Sequence, residues 1–258
     1  MTKNQIFFYI LIRSWKAFTY FDKCIDSVFA QTYKKYKILF IDDASDYTEN
    51  QKKYIKSKLK KHITVFNKQR MYSVYNGYIL IHKYAKMKNS VVVFLDGDDW
   101  FINNNALKYI NDIYRNKNIL LTWGGCLVWN GKKYYKSLSR FGLKYSNKDY
   151  SNKIASSRCF RLVPFQVFHT MTFKTSLFKK IKQSDFKDAS GNWLKYQFDL
   201  ASFLPMLEMA DNRYKVLNEP LYSYNVSTPN NISKLYRIEC LKEEITIRTK
   251  KMYEEISI

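Results

Sequence analysis

Cysteine and histidine are scarce in this chain, at 4 and 3 among 258 residues. Cys24, Cys126, Cys159 and Cys240 stand far apart with no Cys-x-x-Cys pair, and the histidines are His62, His82 and His169. That scarcity excludes a disulfide framework and a structural zinc cluster, and it fits a reducing, cytoplasmic setting. Long apolar runs are absent too. No segment approaches the roughly 18 residues that a membrane-spanning helix needs. The opening run 6–12 is cut off by Arg13 and lacks a small-residue cleavage site, so it reads as a first strand rather than a signal peptide. Neither an internal repeat nor an obvious linker interrupts the chain.

Acids are half as numerous as bases, 22 against 44, which leaves a formal net charge of +22. Such a balance suggests polyanionic partners: nucleic acid, anionic membrane or nucleotide phosphates. The lysines, however, are scattered in short runs such as Lys34-Lys35, Lys60-Lys61 and Lys179-Lys180, through a chain equally rich in Asn, Ile and Tyr. An A/T-rich coding sequence produces that joint bias, so a solvated lysine face is the better reading and no specific nucleic acid is expected. Hydrophobic residues at 46% and aromatics at 17% exclude disorder. The length suits one α/β core with two functional halves, 1–100 and 101–234, followed by a terminal helix over 235–258.

What the chain does have is Leu95-Asp96-Gly97-Asp98-Asp99-Trp100, placed directly after Val91-Val92-Val93-Phe94. A short β-branched run bounded by polar residues reads as a strand buried on both faces of a parallel sheet. The acids therefore sit at a strand's carboxyl end, where ligands dock in open α/β sheets. Three carboxylates so close repel one another unless a cation neutralises them. A hard divalent ion, Mn²⁺ or Mg²⁺, takes carboxylate and phosphate oxygens together, and Gly97 would let the backbone turn so that Asp96 and Asp98 face one pocket.

The same alternation recurs on either side. Strands are expected over 7–12, 36–41 and 63–66, and helices over 21–31, 50–61 and 76–86. The second strand also ends on acids, Asp42-Asp43. This order predicts a doubly wound, three-layer α/β/α nucleotide-binding half with a mostly parallel central sheet. Beyond it the pattern predicts a helix over 105–114, a strand over 119–128 broken by Gly124-Gly125, and a long loop over 130–158. Helices are expected over 176–181, over 193–209 with a kink near Pro205, and over 235–256. A strand over 214–224 carries Pro220 and so reads as an edge.

Three pieces carry a resemblance: Cys24-Ile25-Asp26-Ser27-Val28-Phe29-Ala30-Gln31-Thr32-Tyr33, Ile41-Asp42-Asp43-Ala44-Ser45, and Phe94-Leu95-Asp96-Gly97-Asp98-Asp99-Trp100. Together, and in this order, they resemble the family 2 glycosyltransferases of the GT-A, or nucleotide-diphospho-sugar transferase, fold, over roughly residues 5–234. The resemblance implies an inverting, metal-dependent enzyme that moves a sugar, of hexosyl type, from a nucleotide-diphosphate sugar to a hydroxyl acceptor on a glycan, protein or small molecule. It places the donor nucleoside on Asp43 with Asp42, the ribose or metal on Asp96, and the metal on Asp98. Asp199, roughly a hundred residues beyond the metal motif, matches the family's catalytic base. Arg70 and Asn76 fall where donor phosphate contacts could lie, with surface placement as the plainer reading. Asp99, Trp100, Trp123, Gly124, Gly125 and His169 are the candidates for the acceptor and sugar side. The chain departs from the family at Ile12-Arg13-Ser14-Trp15, where relatives usually carry Pro-Ser/Thr-Tyr/Phe-Asn, and at Met171, where they often carry Arg.

Plainer readings accompany each assignment. Trp100 and Trp123 offer either sugar-stacking faces or core packing. His169 lies in an aromatic stretch that suits a core histidine, or one that positions the acceptor. Two other functions share these features. Haloacid-dehalogenase-type phosphatases place an Asp-x-Asp after an apolar strand, though near the amino terminus and followed by Thr or Val. A basic nucleic-acid-binding protein on the same fold is the non-enzymatic alternative.

Overall fold

In the amino-terminal half of the computed structural model, β1 (Phe7–Ser14), α1 (Phe18–Phe29), β2 (Tyr36–Asp42), α2 (Glu49–Lys58), β3 (Ile63–Phe66), α3 (Tyr72–Tyr84) and β4 (Ser90–Asp96) follow one another. Consecutive strand residues are claimed alternately by two apolar layers. Phe8, Ile10, Ile12, Ile38, Phe40, Val91, Val93 and Leu95 pack under α1 and α2, while Tyr9, Leu11, Leu39, Ile41, Val92 and Phe94 pack under α3. Each such buried side chain contributes about 1.5–3 kcal/mol, so a slip by one residue would forfeit both layers. Helix α2 opens on a capping box in which Thr48 and Gln51 satisfy each other's backbone N–H groups. The structure describes residues 5–136, 148–229 and 232–256.

The second half supplies β5 (Trp100–Phe101), α4 (Ala106–Tyr114), β6 (Leu121–Trp129), β7 (Tyr134–Tyr135), α5 (Asn152–Ser157), β8 (Thr172–Lys174), α6 (Thr175–Phe178), α7 (Phe198–Ala210), β9 (Tyr214–Asn225), α8 (Ile232–Leu235) and α9 (Arg237–Arg248). All strands join one sheet in the order β3-β2-β1-β4-β8-β6-β9-β5, with β7 beside β6. The pairs among β3, β2, β1 and β4 are parallel, and antiparallel β8 joins them to β6. The α/β/α architecture expected from the sequence is present.

Several boundaries differ from the expectation for physical reasons. Strand β9 is not an edge, since it pairs β6 on one side and β5 on the other. Pro220 is tolerated because the register jumps there: Gly124 pairs Leu217 but Cys126 pairs Tyr222, so 218–221 bulge out of the ladder. The helix expected from residue 193 starts only at Phe198, because Glu243 on α9 accepts the backbone N–H groups of Lys195, Tyr196 and Gln197. The terminal helix is broken after Leu235 and ends at Arg248. Within the long loop expected over 130–158 the structure has β7 and α5, and 137–147 lie outside the described residues.

Candidate active site

The parallel register sets Arg13 beside Asp96. Both residues belong to the layer covered by α7, whose first turn carries Asp199. One guanidinium nitrogen, Arg13 Nη2, donates to Asp96 Oδ1 at 2.9 Å and lies 3.5 Å from Asp199 Oδ1. The Phe94 and Phe198 rings lie 5.3 and 4.9 Å from the same guanidinium. Arg13 is thus hidden behind the two carboxylates, with 11% of its side chain exposed against 30% and 35% for the acids. Burial alone would lower the Arg13 pKa, but Asp96 and Asp199 outweigh it and raise it. Burial raises Asp199, against the pull of Arg13, which makes it a stronger base than a solvated aspartate.

The rest of the acidic loop is tied to β9. Tyr222 Oη donates to Asp99 Oδ2 at 2.6 Å and accepts from the Asp96 backbone N–H at 3.2 Å. Asn225 donates its backbone N–H to Asp99 Oδ1 at 2.7 Å and its Nδ2 to the Asp98 carbonyl at 3.2 Å. Asp99 is therefore an anchor rather than an acceptor contact, which corrects its assignment from sequence. Burial and the charge of Asp96 push Asp98 up to about 7. Burial, reinforced by Asp98 and Asp96, carries Asp99 well above the usual carboxylate range. Gly97 does not need a left-handed turn, for it is not among the positive-φ residues. It is needed for close approach instead: its N–H donates to Arg13 O, and a Cβ there would stand 2.9 Å from Ser14 Cβ.

His169 completes this edge. Its ring stacks on Tyr222 at 4.5 Å, its Nε2 lies 3.9 Å from Asp96 Oδ2, and its Nδ1 is buried without a hydrogen-bond partner. Burial lowers its pKa and keeps it neutral, with a lone pair to offer. Asp96, Asp99 and His169 place ligand atoms within 4.8 Å of one another. Carboxylate oxygens clustered beside a neutral imidazole fit a hard divalent cation.

On the donor half, Asp42 and Asp43 are held separately. Asp43 accepts from the backbone N–H groups of Met71 and Tyr72 and from Asn67 Nδ2, with Arg70 Nε at 3.8 Å. Asp42 Oδ2 accepts from Ser45 N, while Oδ1 has no partner, beside a cavity of about 370 Å³ that Ser45, Lys52, Phe66 and Asn67 help to line. Burial raises the Asp42 pKa, and the bonds from Ser45 oppose the rise. Asn76 acts at one remove, accepting from Asn67 Nδ2. Arg70 is not a loose surface residue: its guanidinium lies 3.5 Å from the Trp15 ring centroid and 4.6 Å from that of Tyr72.

Four other sequence candidates do not reach the crevice. Trp123 is fully buried, tilted against Tyr214 at 4.9 Å, and offers no face to a sugar. Trp100 is 4% exposed, bonded through Nε1 to Tyr134 Oη and covered by Lys23. Gly124 and Gly125 serve the β6–β9 irregularity, where positive φ and the nearby Leu217 and Glu219 carbonyls admit no Cβ. Conversely, Arg13, Trp15, Tyr222 and Asn225 were not among the sequence candidates. The signal for Arg13 and Trp15 was present in the departure at 12–15, whereas nothing local marks Tyr222 or Asn225.

The fold and this crevice define a GT-A-type nucleotide-sugar transferase scaffold. Its sequence matches the family described as Glycosyl transferase family 2 over residues 9–182, and the chain belongs to that family. Similar solved structures include TarS 1–349 from S. aureus in complex with UDP-GlcNAc, at 16% identity and TM-score 0.61, covering 90% of this chain and 62% of that one. The mannosyltransferase PcManGT from Pyrobaculum calidifontis, in complex with GDP-Man and Mn²⁺, is 12% identical with TM-score 0.59, covering 97% and 67%. GalNAc-T7 with UDP, GalNAc and Mn²⁺ is 16% identical with TM-score 0.55, covering 86% and 44%. At these identities the likeness is one of fold. The chain spans 62% of the TarS chain. No curated protein matches it in sequence. Among the described residues, no helix is long and apolar enough to cross a membrane.

Proposed function

We propose that this protein transfers a sugar of hexosyl type from a nucleotide-diphosphate sugar to a hydroxyl acceptor, inverting the anomeric configuration. The observation that carries the reading is the meeting of Asp96, from the donor half, and Asp199, from the acceptor half, at one buried arginine. Asp43 and Asp42 hold the nucleoside, with Arg70 and Trp15 beside it. Asp96 and Asp98 hold a divalent cation, Mn²⁺ or Mg²⁺, with His169 Nε2 as a further ligand and Asp99 as the anchor of the loop. Once bound, that cation supplies charge neutralisation at the donor diphosphate.

Asp199 accepts the proton of the acceptor hydroxyl. The acceptor oxygen then forms its bond to the anomeric carbon on the face opposite the diphosphate, and the bond from that carbon to the diphosphate oxygen breaks with its electron pair. The family match and the two GT-A structures with Mn²⁺ support the donor class and the metal. A panel of nucleotide-sugars with Mn²⁺, read by thermal unfolding, tests the donor. The correct one raises the melting temperature by mass action, and the gain is lost in Asp98→Asn. If no nucleotide diphosphate stabilises the protein, the donor assignment fails.

A further inference from the structure

We infer that Arg13 is a positioning residue that fixes the distance between the acceptor-half carboxylate Asp199 and the metal motif. The inference rests on the sugar-transfer reading of the same site. The lead is its place in the fold. Arg13 is the penultimate residue of β1, in register with Asp96 on β4 and with Ile41 on β2, so its backbone is fixed from both sides. Its side chain runs over the Phe94 and Phe198 rings, which stack at 5.1 Å and belong to the two elements that carry Asp96 and Asp199. Those rings hold the guanidinium from one side, and the fork of N–H donors faces the acids.

Two consequences follow from one nitrogen serving two carboxylates. Asp96 gives Oδ1 to Arg13, which leaves Oδ2, on the His169 side, as its oxygen for a cation. Asp199 lies in the first turn of α7, and Arg13 Nη2 donates to its Oδ1 at 3.5 Å. Without the guanidinium, two partly buried carboxylates of like charge would face each other and separate. The base would then leave the line of attack, while the cation ligands stayed on β4 and its loop. Arg13 touches no reacting atom in this scheme and acts through Asp199.

The test compares Arg13→Met, Arg13→Lys, Asp199→Asn and the Arg13→Met/Asp199→Asn double variant in a donor-saturated transfer assay. Melting temperatures with and without nucleotide and Mn²⁺ are measured beside it. Arg13→Met should lower kcat about 100-fold, as misplacement of a catalytic group by an ångström does, with little change in donor KM or in stabilisation by nucleotide and Mn²⁺. Arg13→Lys, a point charge able to reach one acid at a time, should fall between it and the parent. In the Asp199→Asn background the same Arg13→Met change should cost almost nothing, because the group it positions is gone. Additive losses, or an equal loss of nucleotide stabilisation, would overturn the inference and make Arg13 a packing residue. Should Arg13→Met not fold, Arg13→Lys decides: parental kcat in that variant overturns it. A parental protein that binds no nucleotide and transfers no sugar fails at the earlier step, and the inference falls with the functional reading.

Discussion

Gly77 on α3 and Phe198 on α7 are in direct contact, and a Cβ at residue 77 would stand 2.4 Å from two atoms of the Phe198 ring. That ring is also boxed in by Phe94, Phe178 and Phe186, so it has nowhere to turn. Asp199 follows it in the chain. The absence of one side chain on α3 therefore lets α7 bring the candidate base to the sheet edge.

Gly77→Ala is accordingly expected to push α7 outward. Overpacking of this kind costs about 1–3 kcal/mol, and because the displaced residue neighbours Asp199, transfer should fall more than stability does. Chemical denaturation set beside kcat measures the two losses.

Tyr222→Phe removes the hydroxyl that donates to Asp99 and accepts from the Asp96 N–H. Leaving a buried carboxylate short of a donor costs about 1–3 kcal/mol. The concentration of Mn²⁺ needed for half-maximal activity should rise, while nucleotide binding at the Asp43 side stays. A Mn²⁺ titration of the variant checks this.

Glu208 and Arg161 form a buried pair that the sequence pattern did not announce. Glu208 is fully buried and accepts from Arg161 Nε at 2.5 Å, Arg161 Nη2 at 3.0 Å and the Tyr253 N–H at 3.0 Å. Arg161 Nη1 also donates to the Ile247 carbonyl of α9 at 2.5 Å. Glu208→Ala strands a buried guanidinium and is expected to cost about 3–5 kcal/mol. The loss should appear in urea unfolding and as earlier proteolysis of the carboxyl-terminal segment.

His62 gives the protein an acid-sensitive term. It stacks between Phe29 and Tyr36 and accepts from Ile38 N, and burial, with the nearby Lys37, lowers its pKa from 6.5 to about 4. In that window the unfolded chain takes up a proton that the folded chain refuses. The stability His62 contributes is therefore complete above pH 6.5 and is lost as pH falls toward 4. Melting temperatures recorded from pH 7 to pH 4 should fall less steeply in His62→Gln than in the parent.

Much of the donor half was legible because its strands are continuous apolar runs, two of which end in acids, and the same residues that define those two strands place Asp42, Asp43 and Asp96 at one edge. The expected ends of β3 and α4 lie within a residue of the observed ones. The acceptor half was harder to read. Pro220 looked like an edge signal, and only the register jump against β6 explains how an interior strand holds it. The glycine pair looked like a substrate approach, yet it accommodates that same irregularity. Trp100 and Trp123 carry no local mark that distinguishes a buried ring from a sugar platform. Tyr222, Asn225 and Arg13 matter through partners more than 80 residues away, and such pairings are set by the sheet order, which periodicity does not reveal.

The most direct measurement is the appearance of glycosylated acceptor, with its anomeric configuration read by NMR, from the donor that stabilises the parental protein. An inverted product that requires divalent metal is expected, with transfer lost in both Asp98→Asn and Asp199→Asn while Asp199→Asn still binds the donor. Transfer at the parental rate by Asp199→Asn, or a product of retained configuration, would contradict it.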